Sequence, residues 1–321
     1  MKPLARDCVK KFLAWIAGSS LCALIVWTIP SWYSDKELAL PNVIRISHVP
    51  TGRALQVPLL HYTNNQDSDR KAPEIDFISA VHIGEKSYYA HINQLLKRYD
   101  VVLFEMIADE SAAEELRNHD RRDSSLGSFQ RKLADLCGLS FQLEEIDYSA
   151  PNFVHADLSP EALREAMSIR GESLPQLISK VFKLSFDPKF AKALKESGFH
   201  QSGFEGLNPL LILLRGPTDK DRHQIKNVMA QGMTASESVL AALEGEQGLS
   251  LIDDRNARII SVLREQLGTK PKRIAIFYGA GHAPDLHARL KQVLGYRLTQ
   301  IEWLNAWELG QQQGLANTKS R

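Results

Sequence analysis

Cysteine is scarce in this chain of 321 residues: three in all, Cys8, Cys22 and Cys137. Only Cys137 lies beyond the N-terminal segment, so the body has no internal disulfide framework and no zinc site built on thiolates. Cys137 stands just before Gly138 at the end of a helical pattern and reads as packing. Charge of one sign is also missing. The chain has 39 Lys and Arg against 38 Asp and Glu, a net charge of +1, with no long basic run. That excludes the electrostatic footprint of a nucleic-acid binder. No Gly-x-Ser-x-Gly elbow, P-loop or His-Glu-x-x-His helix occurs, which removes several common hydrolase and nucleotide-binding signatures. Nor is any stretch rich enough in Pro, Gly or Ser to split the body into two domains.

There is one long hydrophobic run. Lys2, Arg6, Lys10 and Lys11 precede a segment from Phe12 to Ile29 that is apolar or small throughout and closes at Pro30. At ~1.5 Å per residue the run nearly matches a bilayer core, whereas the apolar region of a cleaved signal peptide is usually only ~7–15 residues. Residues 1–30 are therefore expected to be a signal anchor, with residues 12–29 in the lipid bilayer. The cationic flank stays cytoplasmic and the body lies across the membrane. Residues 31–41 then form a linker, residues 42–310 a single domain, and residues 311–321 a polar tail.

Within the body, the alternation from Val43 to His61 around Pro50-Thr51-Gly52-Arg53 predicts a hairpin. Leu126 to Leu136 is helical, and Leu139 to Ile146 reads as a further strand. Ser159 and Pro160 open a helix as N-cap and first residue. From 161 to 268 the chain is mostly helical, with helical spacing over Asp219 to Met229, Ala235 to Leu243 and Leu251 to Leu267, and Gly268 as a stop.

Two stretches carry one plan. Ile75 to Ala80 is a short buried-strand pattern followed by His82, an amphipathic segment, the run Val101 to Phe104, and Glu105. Ile274 to Tyr278 is followed by Gly279-Ala280-Gly281-His282, the segment Leu286 to Leu294, a strand pattern from Tyr296, and Glu302. The expected fold is α/β: a central mixed or parallel sheet in which two strand–turn–His–helix–strand units bracket a helical insertion. Ligands gather at the carboxyl ends of parallel strands, where His82, His282 and Glu105 stand. Two imidazoles and a carboxylate suit a borderline divalent ion with one position open for water. Glu105 follows four apolar residues, where an unpaired charge would cost several kcal/mol. Glu302 holds the equivalent place, but polar Thr299 and Gln300 precede it. Arg255, in the first turn of a helix, opposes the dipole and so is either solvated or held by an anion. His155 and Asp157 alternate onto one side of an extended segment and are secondary candidates.

The paired His turns, the strand-end Glu105 and Asp254-Arg255-Asn256 before the second unit resemble the TraB/GumN group of the Tiki, ChaN and erythromycin-esterase-like superfamily. Its hallmark is two Gly-x-x-His motifs with a glutamate and an arginine. Gly279-Ala280-Gly281-His282 matches; Ser79-Ala80-Val81-His82 has serine where the family has glycine. The resemblance implies a membrane-anchored, extracytoplasmic, metal-dependent hydrolase, most like a peptidase, acting on a peptide or small molecule. His82, His282 and Glu105 would hold Mn, Co or Zn, with Glu105 and Arg255 catalytic. The superfamily also implies two alternatives: a non-catalytic binder of haem, metal or peptide, and a membrane-tethered regulatory protein.

Overall fold

The computed structural model describes residues 38–64, 72–109, 125–173, 176, 179, 212, 214–234 and 249–310. The expected anchor at 12–29, most of the linker, the Ala235 to Leu243 helix and the polar tail lie outside them. Among the described residues no helix is long and apolar enough to cross a membrane.

The Val43–His61 alternation produces its hairpin: β1 (Arg45–Val49) and β2 (Gly52–Thr63) pair antiparallel, with Val49 opposite Gly52. The next short apolar run is β3 (Glu74–Ala80), antiparallel to β2. The chain then makes the two-residue β4 (Ile83–Gly84) and helix α1 (Lys86–Leu96) before β5 (Val101–Phe104). Helix α2 (Ser125–Cys137) and β7 (Phe153–His155) follow, then α4 (Pro160–Ile169), capped as expected by the Ser159 hydroxyl, which accepts the Ala162 N–H at 3.1 Å. The stretch between α2 and β7 departs from expectation. Only Ser140–Phe141 is extended (β6, pairing with β4), and Gln142–Glu145 forms a single helical turn, α3. Helices α5 (Asp219–Thr234) and α6 (Asp253–Leu267) precede β8 (Arg273–Gly279). A 3-10 turn (Ala280–His282), α7 (Ala283–Leu294) and β9 (Arg297–Gly310) complete the order.

The main sheet is mixed, in the order β1-β2-β3-β8-β5-β7, with β9 on the other edge of β2. Strands β3, β8, β5 and β7 are parallel. Almost every residue of β3, β5 and β8 is buried, as strands covered on both faces require. The late strand β8 slots between β3 and β5, so both histidine-bearing strand ends are neighbours. The second unit corrects the expectation of a parallel return. β9 does not lie beside β8 but crosses to pair antiparallel with β2, placing Glu302 opposite Leu59, half-exposed and away from Glu105. β1 and β3 take successive stretches of the same edge of β2, residues 52–56 and 59–62. With that edge already filled, the chain leaves the sheet at Val81-His82.

Buried Asp76 interrupts the apolar run of β3 near its amino end. Its carboxylate is met by His61 Nδ1 at 2.8 Å, Tyr99 Oη at 2.5 Å and an Arg273 nitrogen at 3.2 Å, while His61 Nε2 sits 3.3 Å from Glu302. Burial works to raise the Asp76 carboxyl, but hydrogen bonds from His61 and Tyr99 hold it below the usual range. Burial works to lower His61, yet its bond to Asp76 and the nearby charges raise it. Asp76→Ala is expected to destabilise the fold by about 2 kcal/mol, since three polar partners lose their acceptor. The raised His61 contributes stability that is complete below pH 6.5 and fades as pH rises through its folded value. Chemical denaturation across that window checks this: the alkaline loss should vanish in His61→Gln.

Candidate active site

Three parallel strands end side by side, and each delivers a group to one point. Glu105 follows β5, and its N–H reaches the Phe277 carbonyl of β8 at 3.2 Å. His282 closes the 3-10 turn after β8. Asp157 lies two residues beyond β7, where the Ala156 N–H still bonds to Phe104 of β5. Arg255, third residue of α6, points into this group and is only 6% exposed.

Arg255 is the hub. Its Nε and one terminal nitrogen fork onto Asp157 at 2.9 and 2.7 Å, and that same nitrogen reaches Glu105 Oε1 at 2.6 Å. The other terminal nitrogen has only long contacts, 3.3 Å to His282 Nε2 and 3.4 Å to the Leu251 carbonyl. Here an arginine placed against the helix dipole is held by two carboxylates. The second oxygen of Glu105 accepts the Gly279 N–H at 2.6 Å. A methyl group on Gly279 would sit 3.1 Å from that oxygen, so the glycine permits the close approach.

His282 is 4% exposed. Its Nδ1 lies 2.7 Å from Asn256 Oδ1, while Asn256 Nδ2 donates to Asp285 at 2.8 Å and to the His282 carbonyl at 3.3 Å. Both partners of Nδ2 are pure acceptors, which fixes the amide orientation; Nδ1 therefore carries the proton and Nε2 keeps its lone pair. Burial pushes His282 down to about 4 despite the pull of Glu105. Burial works to raise Glu105, but the nearby charge of His282, Arg255 and His82 outweighs it and holds the carboxyl at about 2. At neutral pH the site thus presents a neutral imidazole and an ionised carboxylate.

The structure brings Glu105, Arg255 and His282 together and adds Asp157 from the secondary pair. His155 goes elsewhere, with Nε2 at 2.6 Å from the Met106 carbonyl. His82 is exposed and makes no side-chain hydrogen bond or ion pair with the cluster. Ser79, where the resembled family has glycine, is fully buried, and its hydroxyl has no partner among the described residues. Asp285 belongs to the site without any motif in the sequence that marks it, and Asn256, although part of the Asp254-Arg255-Asn256 stretch, is not singled out by it as a site residue. Asn256 does carry a visible signal, because helical spacing puts it on one stripe with Ile259, Ile260 and Leu263.

Among the described residues no three His, Cys, Asp or Glu side chains converge as a ready metal group. Two do converge: His282 Nε2 and Glu105 Oε1 are 3.8 Å apart, compatible with bonds of ~2.0–2.2 Å to one ion. One guanidinium against two carboxylates also leaves a net negative charge in a buried place, and that charge favours a cation. Both donor atoms also face the Arg255 guanidinium, at 2.6 Å from Glu105 Oε1 and 3.3 Å from His282 Nε2, so an ion held by this pair would have to displace those contacts. A cavity of about 1060 Å³ opens at the opposite ends of the strands, beside Lys270, Lys272 and Arg273, and none of the site residues lines it. No family model, curated protein or solved structure matches this chain.

Proposed function

We propose that the chain is a membrane-anchored, extracytoplasmic, metal-dependent hydrolase of the TraB/GumN kind, with peptidase-like activity. The observation that carries this is the buried, tautomerically fixed His282 facing ionised Glu105 and Arg255 at adjacent strand ends. Burial tunes His282 away from acid–base work: a general base is most effective with a pKa near the working pH, whereas a group at about 4 is a poor base with a permanently available lone pair. Glu105, at about 2, is likewise always ionised. His282 and Glu105 would hold the ion, with His82 closing the set from the mouth. A divalent ion bound there supplies an activated water and polarises a carbonyl. Asn256 keeps Nε2 of His282 free of a proton and aimed at the site. Arg255 turns its less committed terminal nitrogen toward the negative charge that develops on a carbonyl oxygen. Asp157 keeps the guanidinium from collapsing onto Glu105 alone.

Full-length protein in detergent, stripped with chelator and reloaded with Mn²⁺, Co²⁺ or Zn²⁺, is assayed against a peptide library. One equivalent of metal should bind. His282→Ala and Glu105→Gln should each lose at least about 100-fold in kcat/KM while remaining folded, and His82→Ala should lose less. Unchanged turnover in folded His282→Ala would end the proposal. A second reading, a membrane-tethered regulatory protein with no catalytic or metal-binding role, is favoured by the Arg255 nitrogen 3.3 Å from His282 Nε2, which already gives that lone pair a partner. It requires that no metal bind and that none of the three substitutions affect anything but stability.

A further inference from the structure

The long ribbon of β2 and β9 runs past the carboxyl end of β3, and the described residues leave a space beyond that end. A pocket of about 270 Å³ lies there, walled by Val81 and Ile83 from the turn after β3, Leu133 of α2, Met233 of α5, and Trp307 of β9. Trp307 is locked in place, its indole N–H donating to the Ile83 carbonyl at 2.7 Å. Among the described residues the only polar lining groups are His82 and Gln130, and the Gln130 amide has no hydrogen-bond partner there.

Size and chemistry restrict the occupant. Cofactor and drug-sized ligands take roughly 300–1,000 Å³, so this pocket holds about one side chain. Its described walls carry no carboxylate, ammonium or guanidinium, so a charged side chain would be desolvated there without a partner. His82 lines this pocket just beyond Ala80, which pairs with Gly279 at the end of β8, so the pocket opens at the same end of the sheet as the candidate site. A group seated against Trp307 would leave its neighbouring bond at the strand ends where Glu105 and His282 also stand. Gln130 at the rim offers one donor and one acceptor face to a passing amide, a pairing that a peptide can use fully and an ester cannot.

We propose that this pocket is the specificity pocket of the hydrolase and takes one large apolar side chain (Leu, Met or Phe) of a peptide substrate beside the bond that is cut. The assignment rests on the hydrolase reading above, but its test is separable. Full-length protein labelled with ¹³C-methyl methionine in detergent has five methionines, and Met233→Leu identifies the Met233 signal. Capped tripeptides Gly-Leu-Gly and Gly-Phe-Gly should move that signal saturably. Gly-Ala-Gly, Gly-Lys-Gly and a short fatty acyl ester should bind at least about 10-fold more weakly, since lost methylenes are worth ~10–200-fold in an apolar pocket. Leu133→Trp fills the pocket and should abolish the shift; Gln130→Trp, at the half-exposed rim, should do the same without entering the core. His282→Ala should leave the shift intact. Where cleavage is seen, Leu133→Trp should move its preference to Gly and Ala. A Met233 signal indifferent to all peptides, an equal response to Gly-Ala-Gly, or tighter binding of the acyl ester would overturn the proposal. A Met233 shift without cleavage under any metal would sink the hydrolase and leave the pocket standing.

Discussion

Arg255→Ala lowers the free energy of unfolding by roughly 3–5 kcal/mol, the cost of removing one partner from a buried ion pair. The larger part of that cost comes from the charges stranded by the substitution. Asp157, with its side chain at 0% exposure, and Glu105 at 13% are both deprived of the guanidinium that held them. Either the two carboxylates repel in a low-dielectric pocket or one takes up a proton. Arg255→Lys recovers little, because an ammonium cannot fork onto Asp157 while also bridging to Glu105. The double variant Arg255→Leu with Asp157→Leu should recover more than half of the loss, because no orphaned carboxylate remains on the Asp157 side. Urea unfolding followed by far-UV circular dichroism measures all three. An Arg255→Ala loss below about 1 kcal/mol would mean the guanidinium is solvated rather than the hub of the site.

In chelator, the protein loses roughly 3 kcal/mol of stability between pH 6.5 and 4, and His282→Gln abolishes most of that slope. The sign follows from proton uptake. Unfolded His282 accepts a proton near 6.5, while the folded imidazole, buried under Arg255, resists protonation down to about 4. Between those values the unfolded state binds the extra proton, so acid favours unfolding. Below about 4 the contribution is spent, and Glu105 takes over. Its carboxyl is held at about 2 against an ordinary 4.5, so the stability it gives is present above 4.5 and drains away toward pH 2. His61 acts in the other direction and only above 6.5, where its contribution fades as pH rises, so the two windows do not overlap. Urea midpoints at half-unit pH steps for wild type and His282→Gln decide it. Parallel curves would show that His282 titrates as an ordinary surface histidine.

The parts of this molecule that local chemistry decides are legible in its sequence. Glu74–Ala80, Val101–Phe104 and Arg273–Gly279 read as buried strands because continuous short apolar runs admit few alternatives, and Ser159-Pro160 marks a helix start by hydrogen bonding and fixed φ. The misreadings are those settled at a distance. Leu139, Phe141 and Leu143 alternate as in a strand, yet only two residues find a partner strand, β4, and the rest coils into a turn. The direction of β9 depends on which strand it meets, information that its own residues do not carry. At the site, Glu105 and Arg255 stand out because each is costly where it stands. Asn256 is marked only by its place on the apolar stripe of α6, and what it holds there is unreadable until its neighbour is known to be His282. The exposure of His82 follows from β1 occupying the edge that β3 would otherwise have continued along.

The position of β8 sets an order of events for biosynthesis. A growing chain halted before Arg273 has β3 and β5 but nothing to place between them. Two apolar strands then show bare edges, Glu105 lacks the Gly279 N–H, and His282 does not yet exist. The cluster is completed only when the late strand β8 threads the gap and brings His282 to the waiting carboxylate. Until then the open apolar edges make the nascent form adhesive, and shielding by chaperones is what it needs.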